Sequence, residues 1–450
     1  MRGLATRLLS LVLAPLPACA APERTNVRYD EDWSSAAGAE GIDRLKYVRL
    51  DASGDIHASL GLELRTRYEG FDNPLWGASR DDGYLWLRAM PSLDVEAGHL
   101  RAFVQPIAGY ARGVNGGNGP ADQTGIDLLQ GFGEWRVPLA THGTITLRAG
   151  RELVGLGSER LVGLRYGPNI PQPFDGMRAI IAHGAVRLDL MRLRPVQIGL
   201  GNFDDRTSQT RKLEGAYATW TVAPNIGVDL YLLGYRNDLA RFDGISGVER
   251  RRTYGVRAFG RRGGLSWNWE LMIQRGRFGG QPIRAWSLAT ETGISFPAVR
   301  LQPRLRLRAN VASGDSKTGD GKLETFNAMF PKGKYFGELS PIGPRNIINI
   351  HPGIDLVVAH GVGIELTEVS YWRASTGDGV YDVPGQEIRA AGASKARHIG
   401  DQIELSTSWK ASATVSFAAS LSLFRAGRFL KETGAARPIH MVGTEAMLKF

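Results

Sequence analysis

Cysteine is almost missing from these 450 residues: Cys19 is the only one. It falls in an opening stretch laid out like a secretory signal peptide. Arg2 and Arg7 give a basic start, Leu8 to Leu16 an apolar run, and Ala18-Cys19-Ala20 a cleavage site of small residues. A run that short does not anchor a protein across a bilayer. Cys19 raises the alternative of a lipid-modified cysteine, but Pro17 fits that signal poorly, so cleavage after Ala20 is expected. The mature chain would then hold no thiol. That excludes an internal disulfide and a cysteine-ligated metal, even in a compartment that permits them.

Long hydrophobic runs are missing too. After the opening stretch no segment offers the roughly 18 consecutive apolar residues of a membrane helix. Amphipathic helical patterns are scarce, unlike those of a soluble enzyme of this length. There is no G-x-S-x-G elbow, no H-E-x-x-H and no P-loop. Gly155-Leu156-Gly157 is too short for a dinucleotide fingerprint, and Asp315–Asp320–Gly321 lacks the spacing and closing glutamate of a calcium loop. The 8 histidines form no pair with ligand spacing. No catalysis, cofactor or metal is therefore expected. Nucleic acid is not expected either, because the basic residues are spread along the chain rather than gathered on one helix or patch.

What the chain does have is glycine, 57 of them, and a period of two nearly everywhere. From Ile56 to Tyr68 one face carries Leu60, Leu62, Leu64 and Tyr68, and the other His57, Glu63, Arg65 and Arg67. Leu265, Trp267, Trp269, Leu271 and Ile273 alternate with Ser266, Asn268, Glu270, Met272 and Gln274. Such segments are ten residues or longer, which suits a membrane crossing better than a soluble sheet. About eighteen can be counted from 55–69 to 438–450, an even number as bacterial barrels require. The last runs from His440 to a terminal Phe450, a form similar to the final strand of proteins inserted into the outer membrane. The expected architecture is all-β, a transmembrane antiparallel barrel. A signal peptide would occupy residues 1–20, a periplasmic segment 21–54 and the barrel 55–450. Tight periplasmic turns would fall at Ala97-Gly98, Arg262-Gly263-Gly264, Ala298 and His360-Gly361. Long extracellular inserts are expected at 112–125, 152–175, 197–210, 237–250, 313–345, 375–397 and 426–437.

Formal net charge is +10, or +8 once Arg2 and Arg7 are removed. A cation at mid-membrane on the lipid side costs about 2–4 kcal/mol, so strand arginines should point into the lumen. That face carries Arg65, Arg67, Arg88, Arg101, Arg136 and Arg148, and between Leu301 and Val311 a ladder of Arg304, Arg306 and Arg308. Three like charges on neighbouring same-face positions repel, which argues for more than a structural role. Arginine rings suit an anion-selective pore, and guanidinium matches carboxylate in paired hydrogen bonds. The alternative pairs these arginines with Asp94, Glu96 or Glu134 in a network with no transport role.

Three stretches carry a family resemblance. They are Arg28-Tyr29-Asp30-Glu31-Asp32-Trp33-Ser34 with Leu45-Lys46-Tyr47 and the strand around Glu63-Leu64-Arg65; Arg148-Ala149-Gly150-Arg151-Glu152-Leu153 with Gly157-Ser158-Glu159-Arg160-Leu161-Val162; and Ala312-Ser313-Gly314-Asp315 with Phe326-Asn327-Ala328-Met329-Phe330-Pro331 and Lys332-Gly333-Lys334-Tyr335-Phe336-Gly337. In this order they resemble the alginate export family of outer-membrane proteins. The resemblance implies an eighteen-stranded monomeric barrel whose arginine-lined constriction passes a uronate polymer, with a long loop, here 313–345, folded into or over the pore. It implies an anionic polysaccharide as cargo, outer-membrane lipid or lipopolysaccharide as surroundings, and a possible periplasmic secretion partner. Arg65, Arg88, Arg148, Arg304, Arg306 and Arg308 would line that pore. Three functions compete on these residues: a polymer exporter, a porin for small anions such as organic acids, and a plugged barrel acting as an enzyme or anchor.

Overall fold

Residues two apart along a strand share a face, so a chain that alternates apolar and polar side chains can put one face on lipid and the other on a filled interior. The computed structural model describes residues 24–140, 142–242 and 244–450. The expected signal peptide lies outside the described residues. One sheet has 20 strands, of which Val48–Arg49 and Arg206–Thr207 are two-residue flanking pieces. The other 18 close an antiparallel barrel.

The first six strands are β1 (Ile56–Asp72), β2 (Asp82–Ala97), β3 (Leu100–Arg112), β4 (Gly125–Leu139), β5 (Gly143–Leu153) and β6 (Pro173–His183). Next come β7 (Val186–Gln197), β8 (Arg211–Ala223), β9 (Ile226–Phe242), β10 (Ile245–Arg262), β11 (Leu265–Phe278) and β12 (Gln281–Ser295). The wall is completed by β13 (Arg304–Ala312), β14 (Ile347–Ala359), β15 (Val362–Arg373), β16 (His398–Lys410), β17 (Val415–Ala426) and β18 (Ile439–Lys449). Each strand pairs with the next, and β1 meets β18 from Glu63↔Lys449 to Asp72↔His440. Closure leaves the 18 wall strands without a free edge.

The two rims differ. One carries short turns, including Gly98 and Gly263, both at φ +58°, a left-handed backbone that glycine adopts without steric cost. Phe450 lies at this rim. The other carries long connections, among them 154–172, 313–346 and 374–397. The long insert expected at 237–250 is not one of them. There β9 and β10 continue as paired strands to Phe242↔Ile245, with a register shift between Asn237 and Ala240. Polar residues at that height broke the alternation in the sequence, although the backbone ladder goes on beyond the apolar band.

The outer face is apolar as expected, with Leu265, Trp269, Leu271 and Ile273 exposed along β11. The inner face does not enclose an empty bore. Connections 154–172 and 313–346 turn inward and join each other. Val162 and Phe330 form a parallel bridge, and amides at Gly163 and Phe330 donate to the carbonyls of Phe330 and Leu161 at 2.8 and 2.9 Å. Phe330 packs edge-on against the wall rings of Phe174 and Tyr235, with centroids 5.1 and 5.6 Å apart. Val154, Leu161, Phe326, Phe336 and Ile342 bury around it. The inward placement of 154–172 differs from the external insert that the sequence suggested: its Leu161, Val162 and Leu164 find apolar partners only inside the barrel. From the short-turn rim, residues 24–47 also reach inward, and Tyr29 lodges edge-on against Phe103 and Phe132.

Candidate pore lining

Every arginine singled out in the sequence has a carboxylate partner in the folded wall. Arg65 pairs with Glu445 at 2.8 Å and donates to the carbonyls of Tyr166, Gly167 and Pro168. Arg67 contacts Glu69 at 2.6 Å, Glu445 at 3.0 Å and Glu338. Arg88 pairs with Glu63 at 2.7 Å, donates to Asn169, and lies over the Tyr166 ring at 4.4 Å. Arg65 and Arg88 are therefore hands that hold connection 154–172 inside the barrel.

A second network spans β2 to β7. Arg101 pairs with Asp94 at 2.5 Å, and Arg136 with Glu96 at 2.9 Å and Glu134 at 3.2 Å. Arg148 pairs with Glu134 at 2.5 Å and Glu152 at 2.7 Å, its guanidinium set in the corner made by the perpendicular rings of Tyr29 and Phe132, 4.2 and 4.3 Å from their centroids. Arg178 continues the chain to Glu152 and Asp189. The partners named in the alternative reading, Asp94, Glu96 and Glu134, are those found. Removing either member of such a buried pair leaves an uncompensated charge, so these residues brace the wall.

The ladder on β13 is also neutralised. Arg304 faces Asp355 at 3.5 Å, Arg306 meets Asp355 at 2.7 Å and Glu365, and Arg308 meets Glu291 at 3.1 Å. The repulsion expected between three like rungs is relieved by β12, β14 and β15, which supply the carboxylates. This corrects the picture of a bare arginine strip.

Two places in the lumen stand apart from this network. A cavity of about 590 Å³ on the short-turn half is lined by Arg67, Arg304, Glu338, Asp355, Glu365, Glu445 and the hydroxyls of Ser406, Ser408 and Ser420. Four carboxylates face two arginines there, so the space is polar rather than electropositive. Burial opposes charge on Glu338, yet Lys334 and Arg67 beside it bring its carboxyl down to about 2. That pair clamps connection 313–346 to the wall.

Cations and carboxylates crowd together higher up, where Lys332 approaches Arg308, Arg160 and His351. Glu270 answers Arg160 at 2.8 Å and Glu291 answers Arg308, while Glu159 is engaged by the Leu164 amide at 3.0 Å. Lys332 makes no ion pair among the described residues. Burial, with Arg308 and Arg160 close by, brings its ammonium down to about 8. His351 sits opposite Arg308 in the register, 3% exposed, and neither ring nitrogen has a hydrogen-bond partner. Lys332 and Arg160 stand in the stretches that carry the family resemblance, but neither they nor His351 were expected in the pore lining. Each belongs to a different segment, and only the inward connections bring them together.

The family model described as Alginate export matches residues 56–442. No curated protein matches the chain. Among solved structures, Acinetobacter baumannii OccAB1 superposes with a TM-score of 0.57 at 12% identity, covering 87% of this chain and 97% of that one. Pseudomonas aeruginosa OccK11 (OpdR) gives 0.56 at 12%, covering 87% and 96%. Pseudomonas aeruginosa OccK2 (OpdF), in a structure with glucuronate, gives 0.56 at 12%, covering 87% and 98%. At such identity the likeness concerns the barrel alone.

Proposed function

The chain belongs to the alginate export family of the bacterial outer membrane, and from that premise we propose that this barrel passes an anionic, uronate-type polymer rather than catalysing a reaction. The path follows the gap between the inward connections and the wall. The long-connection rim faces the exterior, and the short-turn rim, with residues 24–54 and Phe450, faces the periplasm. The observation that carries the reading is the Lys332 cluster. It is a place in the lumen where a cation lacks a carboxylate partner and a buried imidazole lacks any partner. A passing carboxylate can accept from Lys332 and Arg308 there, and leave again because the surrounding arginines are already satisfied. Single-channel recording in planar bilayers tests this: the reversal potential in a salt gradient should show anion preference, and oligouronates should block transiently. Cation preference would overturn it.

A second reading, a porin for small organic anions, is favoured by one observation. The cavity of about 590 Å³ falls within the roughly 300–1,000 Å³ of small-molecule pockets. Monouronate and oligouronate block separate the two readings: a polymer channel is blocked better by longer chains, a small-anion porin equally or better by the monomer. Neighbouring genes for polymer synthesis, as opposed to organic-acid breakdown, would point the same way as chain-length dependence.

A further inference from the structure

The outer wall is apolar where it meets lipid, except in one sector. On β9 to β12 the outward positions nearest the long-connection rim are Arg236, Arg250, Arg252, Arg275, Arg277 and Arg284. They alternate with side chains that bury inside, such as Glu249, Arg251, Thr253, Gln274 and Ile283. Directly below them on the same strands come the exposed apolar residues Leu232, Tyr254, Ile273 and Trp286. The arginines therefore stand at the upper edge of the lipid-facing band, at the height of headgroups.

Their register is costly. Arg236 lies opposite Arg250, and Arg250 opposite Arg277, forming one row; Arg252, Arg275 and Arg284 form a second. Like charges directly across a ladder destabilise it. On the lumenal face the wall answers such arginines with carboxylates. Here, among the described residues, only Arg236 has one, Asp238 at 2.6 Å. A groove of about 660 Å³ runs along the rows and on to Arg192 and Lys212, with Glu214 as the one carboxylate in its lining. The opposite sector does not repeat the pattern: at its upper edge the outward residues of β1, β15 and β16 include Asp72, Glu368 and Asp401. The positive band is thus local rather than a general girdle.

We propose that this double row is a binding site for the phosphorylated headgroup of the outer-leaflet glycolipid, the diphosphorylated lipid A of lipopolysaccharide. Guanidinium groups take phosphate oxygens in paired hydrogen bonds, and two adjacent rows suit two phosphates on one headgroup. The bound polyanion supplies the counter-charge that Glu214 and Asp238 alone do not provide for the rows. Acyl chains would continue down over Leu232, Tyr254, Ile273 and Trp286. The inference rests on the reading that the long-connection rim faces outward, which can be checked separately. Thr318→Cys, in a mature chain without other thiols, should be labelled by an impermeant maleimide on intact cells if that rim is external.

Native mass spectrometry of the full barrel in detergent, titrated with diphosphoryl lipid A, monophosphoryl lipid A, phosphatidylglycerol or inorganic phosphate, tests the site itself. Diphosphoryl lipid A should bind at least tenfold more tightly than phosphatidylglycerol, and equimolar phosphate should not displace it. The variant R250Q/R252Q/R275Q/R277Q should lose at least tenfold in lipid A affinity while keeping heat-modifiable migration and wild-type conductance. The lighter variant R252Q/R275Q serves if the fourfold one fails to fold. Unchanged lipid A binding in either folded variant, or equal binding of phosphatidylglycerol, would overturn the proposal. An unlabelled Thr318→Cys would overturn the orientation but leave a phosphate-selective surface measurable in detergent.

Discussion

Arginines stand on both faces of this wall, and the two faces treat them oppositely. Inside, Arg65, Arg88, Arg101, Arg148 and Arg306 are nearly or fully buried and each meets at least one carboxylate. Outside, Arg250, Arg252, Arg275, Arg277 and Arg284 are exposed and meet none among the described residues. A buried guanidinium without a partner would cost several kcal/mol, so the lumen must pair its cations to fold at all. An exposed one is hydrated and needs no partner, so unpaired rows persist where water or a lipid headgroup reaches them. Abundance of arginine is thus a poor guide to the conduction site; the state of pairing is a better one. By that measure the inner network is largely scaffold, Lys332 and Arg165 are inward cations with no ion pair among the described residues, Arg345 and Arg373 are held by neutral oxygens instead of carboxylates, and the outer rows are a surface waiting for anions.

The largest effect should come from cutting the scaffold. Arg148→Ala takes the shared cation from between Glu134 and Glu152, leaving them only Arg101, Arg136 and Arg178, and opens a hole beside Tyr29 and Phe132, at a cost of about 3–5 kcal/mol. The heat-modifiable transition followed by gel migration should fall sharply in temperature, and adding Glu134→Gln and Glu152→Gln should restore part of it. No shift would mean that the inner arginines are not structural.

Next is Lys332. Lys332→Gln should reduce anion preference severalfold in the reversal potential without lowering thermal stability. Because the ammonium sits near 8 rather than its usual 10.5, wild-type preference should also decline as pH rises through about 8. A pH-independent preference would locate selectivity elsewhere. In the ladder, Arg308→Gln should matter more than Arg304→Gln or Arg306→Gln, since Arg308 is the rung adjoining Lys332.

A smaller effect is expected in acid. The folded Glu338 carboxyl lies near 2, below its ordinary 4.5. Its hold on Lys334 and Arg67 is therefore complete above about pH 4.5 and lost as pH falls toward 2. Channel noise and conductance should increase over that window as connection 313–346 loosens, and Glu338→Gln should show the change already at neutral pH. The smallest effect belongs to the outer face: Arg252→Gln should change detergent stability by less than about 0.5 kcal/mol, as surface substitutions do. A large loss there would erase the contrast between the faces.

Much of the barrel was legible from residue order because its rule is local. A period of two, sustained over ten residues or more, identifies a strand and its lipid face without knowledge of any partner. The rule failed at 237–250, where outward arginines and the Asn237-Asp238 pair interrupt the apolar face just above the membrane. It also missed the inward turn of 154–172, whose apolar residues read like any loop until the lumen is seen to be their only dry surroundings. The candidate site was legible in part: the inward direction of Arg304, Arg306 and Arg308 follows from alternation, but their neutralisation does not. Asp355 and Glu365 lie about fifty residues or more away in sequence.

Alternation along the chain, then, was enough to specify a closed, membrane-sized wall with cations inside, because burying one face in lipid leaves charged side chains nowhere else to go. Which of those cations are free was decided only by tertiary structure. Ion pairing acts over a few ångströms and joins residues such as Arg65 and Glu445 from opposite ends of the chain, so it depends on where the strands close and on how the inward connections fill the space between them.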